Sequence, residues 1–187
     1  MDMVETLQAY WKRNSEAQQK ANLENLKTTT AALQKLGVEC VVMTYSGGGD
    51  SGDYHYPVYT VGGTNLEDRS GYGPSSYQLD SSGEFSSEVV VPYVTVGQGL
   101  TYEKGEAVYA PTVPTSRAEM GLCEAVFSLM ENAVSNQYGG WENNEGAEGT
   151  VTFDVKEGTL HVEHGQYIIE TAWDSHTIGG ETSTSGS

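Results

Sequence analysis

The sequence predicts an α+β fold: a mainly antiparallel sheet of about five to seven strands packed by two long helices. Three observations predict it. Apolar residues recur at helical spacing through residues 2–36 and again from Met120 to Val134. Short β-branched runs lie between and after these stretches, the most apolar being VECVVMTY at Val38 to Tyr45. The last two runs are separated by Lys156-Glu157-Gly158, the composition of a tight hairpin turn with a bulge.

In the first helix, Val4, Leu7 and Trp11 repeat at helical spacing, as do Leu26, Leu33 and Leu36. The polar middle, Asn14 to Gln19, is read either as a break into two helices or as a solvated stretch of one rod. Gly37 stands where a left-handed cap is expected, and Lys35 suits a helix C-terminus. The nearly continuous apolar run at 38–45 predicts a central strand buried on both faces. Tyr54 to Val61 and Val89 to Val96 read as strands, with Pro57 and Pro92 pushing each toward an edge or bulge. A shorter strand is expected at Ala107 to Ala110. Residues 62–87, rich in Gly, Ser, Asp and Pro, read as a long mobile loop.

Ser116 and Glu119 have capping-box spacing, so the second helix is expected to open at Ser116. Its core stripe would be Met120, Cys123, Phe127, Met130 and Val134, and it should stop near Tyr138 before Gly139-Gly140. Thr150 to Val155 alternates, with Val151, Phe153 and Val155 on one face. The return strand carries Leu160 and Val162 inward, and Tyr167 to Trp173 extends it or adds another. The chain reads as one domain over 1–178, followed by a polar tail at 179–187 (GGETSTSGS) too flexible to pack.

Composition limits function. The chain carries 26 acids and 9 bases, a net charge of −17, which opposes sequence-independent binding to phosphate backbones. No apolar run is long enough to span a membrane, and the N-terminus lacks the basic start and apolar core of a secretory signal. Cys40 and Cys123 both fall at core positions, as expected of reduced thiols. Together these features predict a cytoplasmic protein.

Two glycine-and-acid segments carry the chemistry worth testing. Tyr45-Ser46-Gly47-Gly48-Gly49-Asp50-Ser51-Gly52-Asp53 follows the central strand; Gly139-Gly140-Trp141-Glu142-Asn143-Asn144-Glu145-Gly146-Ala147-Glu148-Gly149 follows the second helix. If the fold joins them, Asp50, Asp53, Glu142 and Glu145 form one acidic site able to offer oxygens to calcium or magnesium. The plainer reading is that these acids accept hydrogen bonds from loop amides and hold the turns. Gly49-Asp50-Ser51-Gly52 is not a serine-protease nucleophile: every histidine follows Ser51, and Asp53 stands where a nucleophile elbow needs glycine. His161-Val162-Glu163-His164 is not a metal motif on a strand, because residues three apart face opposite sides; His161 and Glu163 would share a face with Thr152 or Asp154. One His beside one carboxylate reads as a surface pair and not a zinc site, and Asp53 with His55 is read the same way.

The paired motifs, Tyr45-x-Gly-x-Gly-Asp-Ser-Gly and Gly-Gly-Trp-Glu-x-Asn-x-Gly-Ala-x-Gly, followed by the strand with Phe153-Asp154-Val155, resemble domain of unknown function 6878. The resemblance spans about residues 20–170 and departs from the family pattern at Asn144 and in the long loop. It implies a bacterial setting associated with mobile elements and phages, and it implies no activity. It also groups Asp50, Ser51, Trp141, Glu142, Asn143 and Glu145 into one constellation.

With no complete catalytic set, the expected function is that of an acidic accessory protein that binds a protein partner, such as a phage- or mobile-element-encoded modulator of a host factor. Tyrosine-bearing loops and the strong negative charge support it. The alternatives are a metal-dependent hydrolase using Asp50, Asp53, Glu142 and Glu145, and a structural component of a larger particle.

Overall fold

In the computed structural model, the described residues are 3–68, 83–103, 106–109 and 112–170. The first 33-residue stretch is one unbroken helix, α1 (Met3–Lys35). At 1.5 Å per residue it runs about 50 Å. Gly37 follows it with φ 73°, in the expected left-handed position. The chain then forms β1 (Val38–Gly48), β2 (Ser51–Tyr54), β3 (Val58–Val61), β4 (Thr64–Glu67) and β5 (Gly83–Glu84). After these come β6 (Val90–Val96), β7 (Leu100–Glu103), β8 (Glu106–Tyr109) and β9 (Thr115–Gly121). Helix α2 (Leu122–Ser135) leads to the final pair, β10 (Ala147–Asp154) and β11 (Thr159–Gln166).

Seven strands make one sheet in the order β11-β10-β1-β3-β4-β5, with β2 also paired to β1. Its pairings are antiparallel except the short parallel contact of β4 with β5. Two ribbons, β6-β9 and β7-β8, stand apart from it. The α+β class and the mostly antiparallel sheet are therefore as the sequence predicts. The helices differ in scale, since α2 has 14 residues against 33 in α1.

The core lies between one sheet face and the helices. Val41, Met43 and Tyr45 from β1, Val151 and Phe153 from β10, and Leu122, Val126, Met130 and Val134 from α2 are almost wholly buried. Burying such side chains contributes about 1.5–3 kcal/mol each. Strand β1 is central, but it is not buried on both faces as its composition suggests. Val41, Met43 and Tyr45 are buried, while Cys40, Val42, Thr44 and Ser46 are only half-buried, so the helices cover one side of this strand. Burial raises the pKa of both free thiols, that of Cys123 to about 11 with Asp68 adding to the effect.

Three other expectations change. Helix α2 opens at Leu122 and not at Ser116. The Ser116 segment is β9, paired with β6 so that Ser116 faces Thr95 and Glu119 faces Pro92. The Ser116 and Thr95 hydroxyls share a 2.7 Å hydrogen bond, so the hydroxyl expected to cap a helix is spent across a strand pair. Gly121 precedes α2 without any side-chain cap. The strand expected over Tyr54 to Val61 divides at Pro57 into β2 and β3. The 62–87 stretch has ordered ends: Gly62 and Gly63, both with positive φ, turn β3 back into β4, and Phe85 stacks on Tyr59 at 4.0 Å. Residues 69–82, the segment from 171 to Trp173 and the 179–187 tail lie outside the described residues.

Buried polar groups tie α1 to the β6-β9 ribbon. Asn25, 1% exposed, donates from Nδ2 to the Val94 carbonyl at 2.9 Å and accepts the Val94 N–H at 2.7 Å. Arg117 of β9 pairs with Glu24 one residue earlier on α1. Among the described residues, no helix is long and apolar enough to cross a membrane.

Candidate functional site

The two glycine motifs meet. Gly49 and Asp50, both with positive φ, turn β1 into β2, and Gly47 and Gly48 pair with Gly52 and Ser51. The turn after α2 docks on this ribbon: the Gly49 N–H donates to the Asn144 carbonyl at 2.8 Å, and Asp50 Oδ1 accepts the Asn144 N–H at 3.3 Å. The benzo edge of Trp141 lies against Gly47 and Gly52, where a Cβ on either residue would collide with the indole. Glycine is required there for close approach more than for turning.

Beneath the loops is an aromatic cluster. Trp141 packs edge-on to Tyr45 at 4.9 Å and to Tyr54 at 5.5 Å. Its Nε1–H donates to the Tyr54 hydroxyl at 3.2 Å, which also shares a 3.2 Å bond with Ser135 at the end of α2. Tyr138 stacks on His164 at 4.0 Å, and His164 Nδ1 shares a 2.7 Å hydrogen bond with the Tyr45 hydroxyl. Burial, with smaller contributions from Tyr138 and Tyr54, pushes the Tyr45 phenol up to about 12, so it stays neutral at ordinary pH. Replacing Tyr45 by Phe should therefore lower unfolding stability by about 1 kcal/mol, the worth of one buried hydrogen bond. Urea denaturation checks this, and an unchanged midpoint would show that the bond contributes nothing.

The predicted site residues divide. Asp50, Ser51, Trp141 and Glu142 line a groove of about 460 Å³ together with Tyr54 and Glu131, the latter not singled out from sequence. Burial raises the Glu131 carboxyl, and burial first, then Glu131 and Glu142, raises the Tyr54 phenol against the opposing hydrogen bonds from Ser135 and Trp141. Asn143 and Glu145 are exposed in the docked turn, where the Asn143 carbonyl accepts the Gly146 N–H at 3.0 Å. Asp53, in register with Ser46, sits on the opposite face of the ribbon from Tyr54. The motifs thus join through backbone and aromatic contacts, and Asp53 is not brought to the other carboxylates. Among the described residues, no group of three or more His, Cys, Asp or Glu is placed to hold a metal ion.

A second groove, of about 510 Å³, lies across the other face of the sheet, lined by Thr44, Ser46, His55, Glu148, Thr150 and Glu163 with adjoining backbone. Register explains the set. Thr44 faces Thr150, and Thr150 faces Glu163. The His55 N–H donates to the Thr44 carbonyl at 2.9 Å, which adds His55 to the same row. Ser46 and Glu148 form the next row, and Ser46 Oγ lies 3.3 Å from His55 Nε2. His161, opposite Thr152, shares this face with Glu163, whereas His164 points to the helices, as strand alternation requires. Hydroxyls floored between two exposed carboxylates favour ammonium or guanidinium groups over anions.

Charge is unevenly distributed along the chain. The first 37 residues hold 5 bases and 4 acids, and the other 150 hold 4 bases and 22 acids. The chain after Gly37 therefore carries the whole negative excess.

No curated protein and no solved structure matches the chain. Residues 102–178 match the model of a family described as "Family of unknown function (DUF6878)". The matched stretch takes in α2, the docked glycine turn and the β10-β11 hairpin, while the first glycine motif precedes it. Over the segment that supplies Trp141, Glu148 and Glu163, the chain resembles DUF6878.

Proposed function

We propose that this protein is an acidic accessory factor that acts by binding a basic protein partner through its sheet body. The charge asymmetry carries the reading: 22 acids and 4 bases follow Gly37, and two of those acids, Glu148 and Glu163, flank a groove lined by hydroxyls. A weakly basic helix beside an acidic sheet would give the molecule an oriented field, which accelerates encounter with a positive surface and selects against acidic ones. A regulatory or nucleic-acid-binding host protein would supply such a surface.

The test is affinity for a basic partner recovered from bacterial lysate, measured as a function of salt. Between low and high ionic strength the affinity should fall at least about tenfold, because exposed charges are screened over about 8–10 Å near physiological salt. Glu148→Gln combined with Glu163→Gln should weaken binding without lowering Tm, since both side chains are exposed. Salt-insensitive binding would sink the electrostatic reading.

A further inference from the structure

We propose that the basic partner docks by adding an extended segment, alternating basic and apolar residues, to the outer edge of β11. The inference rests on the binding role proposed above and names where and how the contact forms. Among the described residues, β11 is the last strand of the seven-stranded sheet. The Tyr167 N–H donates to the Gly146 carbonyl at 3.0 Å, which fixes the phase of the ladder. By antiparallel alternation Thr159, His161, Glu163 and Gly165 bond to β10, and the backbone N–H and C=O of Leu160, Val162, His164 and Gln166 point outward. Among the described residues none of these outward groups has a backbone partner. Sheet edges of this length are ordinarily blunted by lysine, proline or a bulge. The sequence TLHVEHGQ has no lysine or proline, and its pairing with β10 runs without a break in register.

Side chains on the two faces of this edge define what fits. On one face Glu163 and its neighbour Glu148 are exposed, and Glu157 lies in the hairpin turn with Lys156 as the nearby base. On the other face Leu160 and Val162 are only partly buried against the core. An added strand would therefore place alternate residues against carboxylates and the intervening ones against aliphatic surface. A second copy of this chain is disfavoured as occupant, because it would set Glu163-bearing edges of two strongly negative molecules side by side.

The experiment uses the full chain and a short synthetic peptide alternating lysine and valine. It is made in three forms: unmodified, N-methylated at every lysine amide, and N-methylated at every valine amide. Alternate amides of a strand point the same way, so each methylated form blocks one edge of the peptide. Strand addition predicts that one methylated form binds like the parent and the other loses at least about tenfold in affinity. It also predicts that the parent peptide slows hydrogen exchange at Leu160, Val162, His164 and Gln166. Equal binding of both methylated forms overturns strand addition and leaves the acidic-surface reading standing. Failure of all three forms to bind overturns both. A homodimer that protects the same amides assigns the edge to a second copy and also overturns the proposal.

Discussion

Gly146→Ala should lower unfolding stability by at least about 3 kcal/mol, enough to shift Tm by several degrees or abolish folding. Gly146 has φ 80°, and a Cβ there would overlap the Gly47 carbonyl and the Gly48 Cα of β1. Both neighbours are backbone atoms of a central strand, so neither can rotate away. The substitution would have to push the docked turn off β1, losing the Gly49–Asn144 bond and the seat of Trp141. Gly49→Ala is the control. It also has positive φ, at 64°, but a Cβ there meets nothing within 4 Å. It should cost only the about 1–2 kcal/mol of a left-handed backbone. Chemical denaturation of both variants separates close approach from turn geometry, and equal losses would refute the docking account.

Asn25→Ala should cost about 3 kcal/mol, or about 6–12 °C in Tm for a chain of this size. The Asn25 amide satisfies both the N–H and the C=O of Val94 while 1% exposed. Strand β6 has β9 on its other side, so the alanine variant leaves two buried backbone groups without a protein partner. Thr29, also buried, bonds instead to the Asn25 carbonyl within its own helix at 2.8 Å, so Thr29→Val should be milder. Thermal unfolding that ranks Thr29→Val at or above Asn25→Ala would contradict the assignment.

These residues show why the fold was only partly legible. The β10-β11 hairpin could be read because Val151, Phe153, Leu160 and Val162 alternate without exception. The buried stripe of α1 could not, since it includes Asn25 and Thr29, polar residues whose partners are a distant strand and the helix backbone. Trp11 and Leu23, which look like core residues, are instead 59% and 68% exposed. The start of α2 is masked because Ser116 and Glu119 satisfy a helix rule by spacing while a separate two-stranded ribbon recruits them by pairing. Gly62-Gly63 was a usable signal for a two-residue hairpin, obscured by the composition around it. At the site, the density of glycine marked a place of close approach, though not which acids would face one another. The groove holding Ser46, His55, Thr150 and Glu163 depends on register between residues about a hundred positions apart, which no local pattern encodes.

That same register governs how the protein is made. Strand β1 finds β2 and β3 almost at once, but its other edge waits for β10, which pairs Cys40 with Asp154. At about 5–20 residues per second the intervening chain takes roughly 5–20 s to emerge. Throughout that interval the most apolar strand of the sheet has one side open to other nascent chains. Fragments ending before Ala147 should therefore aggregate where the full chain does not, a consequence of the position of one strand.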